Sequence, residues 1–190
     1  MKVNLTELRN SAMVAKPALW AAAESLGRDV KLYCHWSAGD YNTIYSDYHI
    51  NIGQDGSIDL THDDLSKVLA ATYMRNTGSV AITMDCAVNA VGQYDLGPCP
   101  PTETQIESMA QVIAVLTDVL DLTIDLQRVM THAEAADNLD GWEACKPYGP
   151  AHTVERWDLA VLHPGDEWMS GGDILRGKAI YYQNQWRADE

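Results

Sequence analysis

Two histidines stand where strands are predicted to end. His35 closes the alternating segment 30–35, and His132 closes the segment 128–132. Because the carboxyl ends of parallel strands meet at one edge of an α/β sheet, we expect the two imidazoles to converge there. Neutral imidazole is a good zinc ligand, and a catalytic zinc takes three protein ligands and keeps one open position. Asp158 follows in a later irregular stretch and completes a His/His/Asp set.

Spacing alone leaves other ligand sets open. The chain has six histidines, so a pair at strand ends is a weak signal by itself. His152, His163 and Asp166 lie in the same long irregular stretch as Asp158, about 133–172, and are rival ligands. Loops of that length are usually functional.

Six short motifs, in order along the chain, strengthen the first set. They are H-x-S-A-G at 35–39, Y-H-x-x-I with D-G-S-I at 48–58, R-N-T-G-S at 75–79, T-x-x-Q at 102–105, T-H-x-E at 131–134 and the tetrapeptide at 155–158. This order resembles the zinc-dependent N-acetylmuramoyl-L-alanine amidases, the family that includes phage amidase lysozymes and the peptidoglycan recognition proteins. The resemblance runs from about residue 30 to 180, where the pairs at 171–172 and 176–178 are similar to the close of some phage members.

The resemblance implies a role for each matched residue. His35, His132 and Asp158 would bind Zn²⁺. Tyr48 matches an active-site tyrosine beside the metal, and Arg156 stands where many members have a lysine, so both are expected to be catalytic. Substrate contacts are expected from Trp36, Ser37, Asn76 and Trp157, with Tyr41 and Tyr45 beside the same groove.

The family's activity is hydrolysis of the amide between the lactyl group of N-acetylmuramic acid and the L-alanine of the stem peptide. We therefore expect a peptidoglycan hydrolase of phage or prophage type that uses zinc-activated water. Two alternatives stay open: a non-catalytic module that binds peptidoglycan, and a cytoplasmic amidase of soluble (anhydro)muropeptides in wall recycling. One branch of the family has a glutamate general base where this chain has Thr83, so the proton acceptor is left open.

The elements that must position these residues alternate between helix and strand, which predicts an α/β fold. We expect a single domain, 1–190, with a central mixed β-sheet flanked by helices, as in the amidase and peptidoglycan-recognition-protein fold. The predicted elements are a helix at 17–26, strands at 30–35, 47–52, 57–60, 79–84 and 128–132, helices opening at Thr61 and Thr102, and a last helix capped by Asp173 and running to 185.

Composition limits the classes of partner. The 190-residue chain has a formal net charge of −14, which argues against nucleic acid or an anionic membrane as a partner. No apolar run is long enough to span a membrane. The N-terminus has an apolar stretch, but Lys16 and Pro17 interrupt it, so it is not typical of a signal peptide. We expect synthesis in the cytoplasm, and action on the cell wall if the protein is a phage-type lysin. The oligomeric state is left open.

The four cysteines do not form a C-x-x-C pair, which argues against a thiolate zinc site. Free buried thiols are the simplest expectation. Cys86 and Cys99 flank a short segment rich in glycine and proline, and they could form a disulfide only in an oxidising compartment.

Overall fold

Six strands form one mixed sheet in the computed structural model, which describes residues 1–142 and 157–188. The strands are β1 (Lys2–Val3), β2 (Lys31–Trp36), β3 (Ile50–Ile52), β4 (Ile58–Leu60), β5 (Ser79–Met84) and β6 (Val129–Thr131). Their order across the sheet is β1-β4-β3-β5-β2-β6. Strand β2 is parallel to its two neighbours, β5 and β6, whereas β3 and β4 form an antiparallel hairpin. This confirms the predicted α/β class and the mixed sheet of a single domain.

The helices cover one face of this sheet. They are α1 (Leu5–Glu24), α2 (Glu103–Val119), α3 (His132–Ala136) and α4 (Gly171–Ala188). Helix α2 packs on β3 and β5, α4 packs on α2 and β6, and α1 packs on α2. The main hydrophobic core lies between these helices and the sheet, and every long strand contributes apolar side chains to it. Across residues 1–142 and 157–188, none of these helices combines the length and the apolar character that a membrane span requires.

The opposite face of the sheet carries polar side chains at paired positions. Asp59 pairs with Asn51, Asn51 pairs with Thr83, and Thr83 pairs with His35, so the four residues lie side by side across four strands. All four are buried. We call this line of residues the polar row. A buried polar row weakens a core unless its groups are partnered, so its presence indicates a site.

The prediction of a helix at 17–26 was wrong about where the first helix begins. Helix α1 starts at Leu5, behind a capping box in which Asn4 and Glu7 exchange side-chain and backbone hydrogen bonds. Pro17 lies inside the helix instead of in its first turn. A proline inside a helix costs about 3 kcal/mol. Here an apolar stripe from Leu8 to Ala23 packs on the core and offsets that cost.

The helix predicted to open at Thr61 does not form. The Thr61 hydroxyl donates to the backbone carbonyls of Tyr48 and His49, and it therefore cannot cap a helix. Asp64 accepts instead from the backbone and side chain of Ser66. The segment 61–78 is a series of turns that lies against the hairpin strand β3.

Several other boundaries differ from the prediction: the strand predicted at 47–52 begins only at Ile50, and two differences lie near the candidate site. Helix α4 begins at Gly171, so Asp173 stands in its first turn, where its carboxylate pairs with Arg176 rather than capping the helix. Strand β6 ends at Thr131, and His132 is the first residue of α3. Helix α2 begins as predicted, with the capping box of Thr102 and Gln105. The described cysteines Cys34, Cys86 and Cys99 are free thiols.

Candidate metal centre

The register of two parallel strands places the two histidines together. Cys34 on β2 pairs with Thr131 on β6, and the residue that follows each of them is a histidine. The imidazoles of His35 and His132 therefore leave the same edge of the sheet, and their ring centroids are 4.7 Å apart. This is the convergence expected from the sequence, with the difference that His132 already belongs to a helix.

Helix α3 is held in place by a buried ion pair. Thr131 and Glu134 form its capping box, in which the Glu134 carboxylate also accepts from the backbone N–H of Thr131. Arg176 of α4 donates to both carboxylate oxygens of Glu134 at 2.9 and 2.8 Å. Gly172 allows this approach, because a Cβ there would lie 2.3 Å from a Glu134 oxygen. The first turn of α3, with His132, is thus fixed against the sheet.

Asp158 completes the group from the segment that follows residue 156. Its backbone carbonyl accepts from the N–H of Ala133, which ties it to the start of α3. One carboxylate oxygen, Oδ2, lies 3.0 Å from Nδ1 of His132 and 3.3 Å from Nδ1 of His35. The two Nδ1 atoms are 3.2 Å apart. Three donor atoms on three separate segments therefore form a nearly equilateral triangle.

The size of this triangle fits a tetrahedral metal ion. With zinc–ligand distances of about 2.0–2.1 Å and tetrahedral angles, ligand atoms are separated by about 3.3 Å. The three observed separations, 3.0, 3.2 and 3.3 Å, lie close to that length. The other oxygen of Asp158, Oδ1, is buried without a hydrogen-bond partner. Within residues 1–142 and 157–188, this is the one group of three His, Cys, Asp or Glu residues compact enough for a metal ion.

Burial keeps the imidazole of His35 neutral. Its side chain is completely buried, and this desolvation lowers the pKa of His35 to about 4, against a smaller opposing effect of the hydrogen bond to Asp158. A neutral imidazole has the free lone pair that a metal requires. His35 is therefore in the protonation state that a metal ligand requires.

Thr72 supplies a contact behind the first ligand that the sequence did not indicate. Its hydroxyl lies 3.1 Å from Nε2 of His35, the ring nitrogen turned away from the triangle. When Nε2–H donates to this hydroxyl, Nδ1 is left free for a metal. The backbone N–H of Thr72 donates to the side chain of Asn76. Asn76, predicted to bind substrate, therefore supports the loop that carries Thr72.

Tyr48 lies beside the triangle, as predicted. Its ring packs on that of His35 with the centroids 5.0 Å apart. Burial raises the pKa of the Tyr48 phenol above its ordinary value, and the charge of Asp158 acts in the same direction. The phenol is therefore a hydrogen-bond donor at neutral pH.

The other three residues predicted to contact substrate are buried or half-buried: Trp36, Ser37 and Trp157. Trp36 and Trp157 are 1% and 4% exposed and pack edge to face, with ring centroids 4.6 Å apart. The Ser37 hydroxyl accepts from the backbone N–H groups of Gly39 and Cys86. Trp36 and Trp157 thus lie in the interior, whereas Ser37 is half-buried and holds the backbone that follows β2.

Four further candidates do not take part in the triangle that the structure describes. Arg156 and the rival ligand His152 lie outside the described residues. The rivals His163 and Asp166 do not join the triangle. Asp166 accepts from His163 at 3.1 Å, and His163 also pairs with Glu103 of α2 at 2.6 Å.

No family model, no curated protein and no solved structure matches this chain.

Proposed function

We propose that this chain is a zinc-dependent hydrolase of the N-acetylmuramoyl-L-alanine amidase type, with the fold of that family. The observation that carries the proposal is the triangle of His35, His132 and Asp158, whose donor atoms lie 3.0–3.3 Å apart at one edge of the sheet. Two imidazoles and one carboxylate are a three-residue ligand set of the kind found in catalytic zinc sites, where the fourth position would be left for water or substrate.

The chain's own residues have distinct tasks in this proposal. His35 and His132 hold the ion through Nδ1, and Thr72 fixes the ring of His35. A zinc ion held there would lower the pKa of a water molecule and polarise the carbonyl of an amide. The Tyr48 phenol stands beside the site and can donate a hydrogen bond to an oxygen that gains negative charge, a contribution of about 3 kcal/mol for a well-placed donor. Arg156 stays a predicted second donor.

The choice of peptidoglycan as substrate rests on the ordered motifs. Several of their residues surround the triangle: Tyr48 packs on His35, Asn76 supports Thr72, and the T-H-x-E motif fixes α3. The R-N-T-G motif also ends at Gly78, where φ is +66° and a Cβ would lie 2.7 Å from the backbone of Ala23. A glycine is therefore required for strand β5 to start against α1.

A non-catalytic peptidoglycan-binding module is the second candidate, because of Thr83. Thr83 is paired with His35 in the sheet, is fully buried, and donates its hydroxyl to the carbonyl of Met84. It therefore supplies no carboxylate to accept a proton at the position where one branch of the family has glutamate. A module that binds without cleavage would tolerate this change.

Metal analysis and a cleavage assay together test the proposal. Purified protein is loaded with zinc, and its metal content is measured by mass spectrometry. The protein is then incubated with purified sacculi and, separately, with soluble muropeptides, and the products are identified by mass spectrometry. We expect one zinc per chain and release of stem peptides that begin with L-alanine. Preference for the soluble substrate would favour the role in wall recycling.

Two variants control this experiment. His132→Ala should lose both zinc and cleavage, whereas Asp63→Asn, which removes an exposed carboxylate, should keep both. One zinc per chain with binding to sacculi but no product would favour the binding module. Failure of the wild-type protein to retain zinc would refute the metal centre and the hydrolase together.

A further inference from the structure

A second polar site lies at the other end of the sheet face that carries His35. An open cleft of about 570 Å³ lies over the carboxyl ends of β3 and β5. Its walls include Asp59 and Asp85, the apolar side chains of Tyr41 and Ile44, and the ammonium-bearing Lys2 of β1. The volume is within the range of small-molecule sites.

Asp85 is an unusual residue in this cleft. It is 2% exposed, and its Oδ1 atom is buried without a hydrogen-bond partner. Asp59 is 8% exposed, and neither carboxylate forms an ion pair in the part of the chain that the structure describes. Lys2 could have neutralised them, but its ammonium group donates to the Ser57 hydroxyl at 3.3 Å. Buried carboxylates are normally paired, and neither of these two forms an ion pair with the lysine in the same wall.

The electrostatics agree with that geometry. Burial, together with the smaller effects of the negative charges of Asp59 and Asp40, raises the pKa of Asp85 to about 7. An ionised Asp85 is thus disfavoured in the protein alone. A cation in the cleft would favour the ionised form of Asp85. The contact between the cation and this carboxylate would be stronger than an ion pair at the surface, because the carboxylate is desolvated.

We propose that this cleft binds the primary ammonium group of a ligand, with the carboxylates of Asp85 and Asp59 as acceptors. The proposal does not depend on the hydrolase proposal, because the cleft does not use the three metal-binding residues. An ammonium group has three N–H donors and can be satisfied by two carboxylates and one further oxygen. Tyr41 and Ile44 offer apolar surface to the alkyl chain next to it.

A divalent metal ion fits this cleft less well. Calcium takes six to eight oxygen ligands, and magnesium demands a nearly octahedral shell. In residues 1–142 and 157–188, no third His, Cys, Asp or Glu side chain joins Asp59 and Asp85 within the span that one ion could bridge. The exposed Asp55 also lines the cleft, but its carboxylate accepts from the backbone N–H of Ser57. Asp59 and Asp85, with Lys2 in the same wall, therefore suit a single positive charge better than a double one.

The test uses a pair of probes that differ in one group. Nα-acetyl-L-lysine methylamide carries a primary ammonium, and Nα-acetyl-L-norleucine methylamide has a similar shape without it. Both are titrated at pH 8 into the metal-free full chain, and binding is followed by NMR shifts and calorimetry. We expect the lysine probe to bind at least tenfold more tightly and to shift the amides around residues 53–59 and 85.

Substitutions then locate the site. Asp85→Asn and Asp59→Asn should each weaken the lysine probe by tenfold or more, whereas the exposed Asp63→Asn removes the same charge and should have no effect. The two cleft variants are independent, so failure of one to fold leaves the other as the test. Equal binding of both probes, equal effects of all three substitutions, or displacement of the lysine probe by an equimolar divalent cation would overturn the proposal.

Discussion

Asp85→Asn should stabilise the protein at alkaline pH and not at acidic pH. The pKa of Asp85 is about 7 in the folded protein, against 3.8 as its ordinary value in an unfolded chain. Because the folded pKa is raised, the unfolded chain loses its proton first, and the folded state loses stability as pH rises from about 4 to 7. A difference of about three pKa units corresponds to about 4 kcal/mol. Asparagine stays neutral at every pH and should avoid this loss.

The measurement compares, at two pH values, the change in the free energy of unfolding that Asp85→Asn causes. Urea unfolding of the wild type and of Asp85→Asn is followed at pH 4 and at pH 8. Near pH 4 the wild-type side chain is largely protonated, so the two proteins should have similar free energies of unfolding. At pH 8 the variant should gain up to about 4 kcal/mol, or roughly 10 °C in melting temperature for a chain of this length. Asp63→Asn, at an exposed site, should show the same pH dependence as the wild type.

A gain that is equal at the two pH values would refute this reasoning, because it would show that the charge of Asp85 is not the cause. No gain at pH 8 would show that Asp85 is paired or solvated in the protein, and it would also remove the argument for a cation in the cleft. The same variant should bind the lysine probe more weakly. Higher stability together with weaker binding is typical of a residue kept for function.

Three further predictions follow from single contacts. Thr72→Val removes the hydroxyl behind His35 and should weaken zinc affinity by about 10- to 100-fold in a chelator competition, with little effect on metal-free stability. Burial lowers the pKa of His49 to about 4; between pH 6.5 and 4 the protein should therefore lose about 3 kcal/mol that a His49→Gln variant keeps, as measured by urea unfolding. Thr102→Ala removes the cap of α2 and should cost about 1 kcal/mol in the same assay, whereas an effect below 0.3 kcal/mol would contradict the cap.

The features that the sequence predicted correctly are those with a local cause. The capping box of Thr102 and Gln105 depends on four consecutive residues, and α2 begins there. The strand Ser79–Met84 is a short apolar run between turn residues, and its bounds are as predicted. The pairing of His35 with His132 followed from one general rule about parallel strands. None of these needed a distant contact to be known.

The features that the sequence missed depend on distant contacts. Thr61 has the spacing of a helix cap, but its hydroxyl reaches the carbonyls of the Tyr48 turn thirteen residues away. Thr72 stands in a turn with no pattern of its own and becomes important only because His35 lies beside it in space. The orphaned oxygen of Asp85 is likewise invisible in a linear pattern. All three features depend on which residues, distant in the sequence, lie next to one another in the folded protein.

The polar row runs from Asp59 in the proposed ammonium cleft to His35 in the candidate metal centre. Its length sets the size of a ligand that could reach both. From Asp59 on β4 to His35 on β2 there are three inter-strand spacings, or about 14 Å. That distance equals about four extended residues. Asn51, between them, is fully buried, and it holds the backbone of Tyr45 over the row through two hydrogen bonds. A ligand that occupied both sites would therefore pass over Tyr45 and reach the metal centre beside Tyr48.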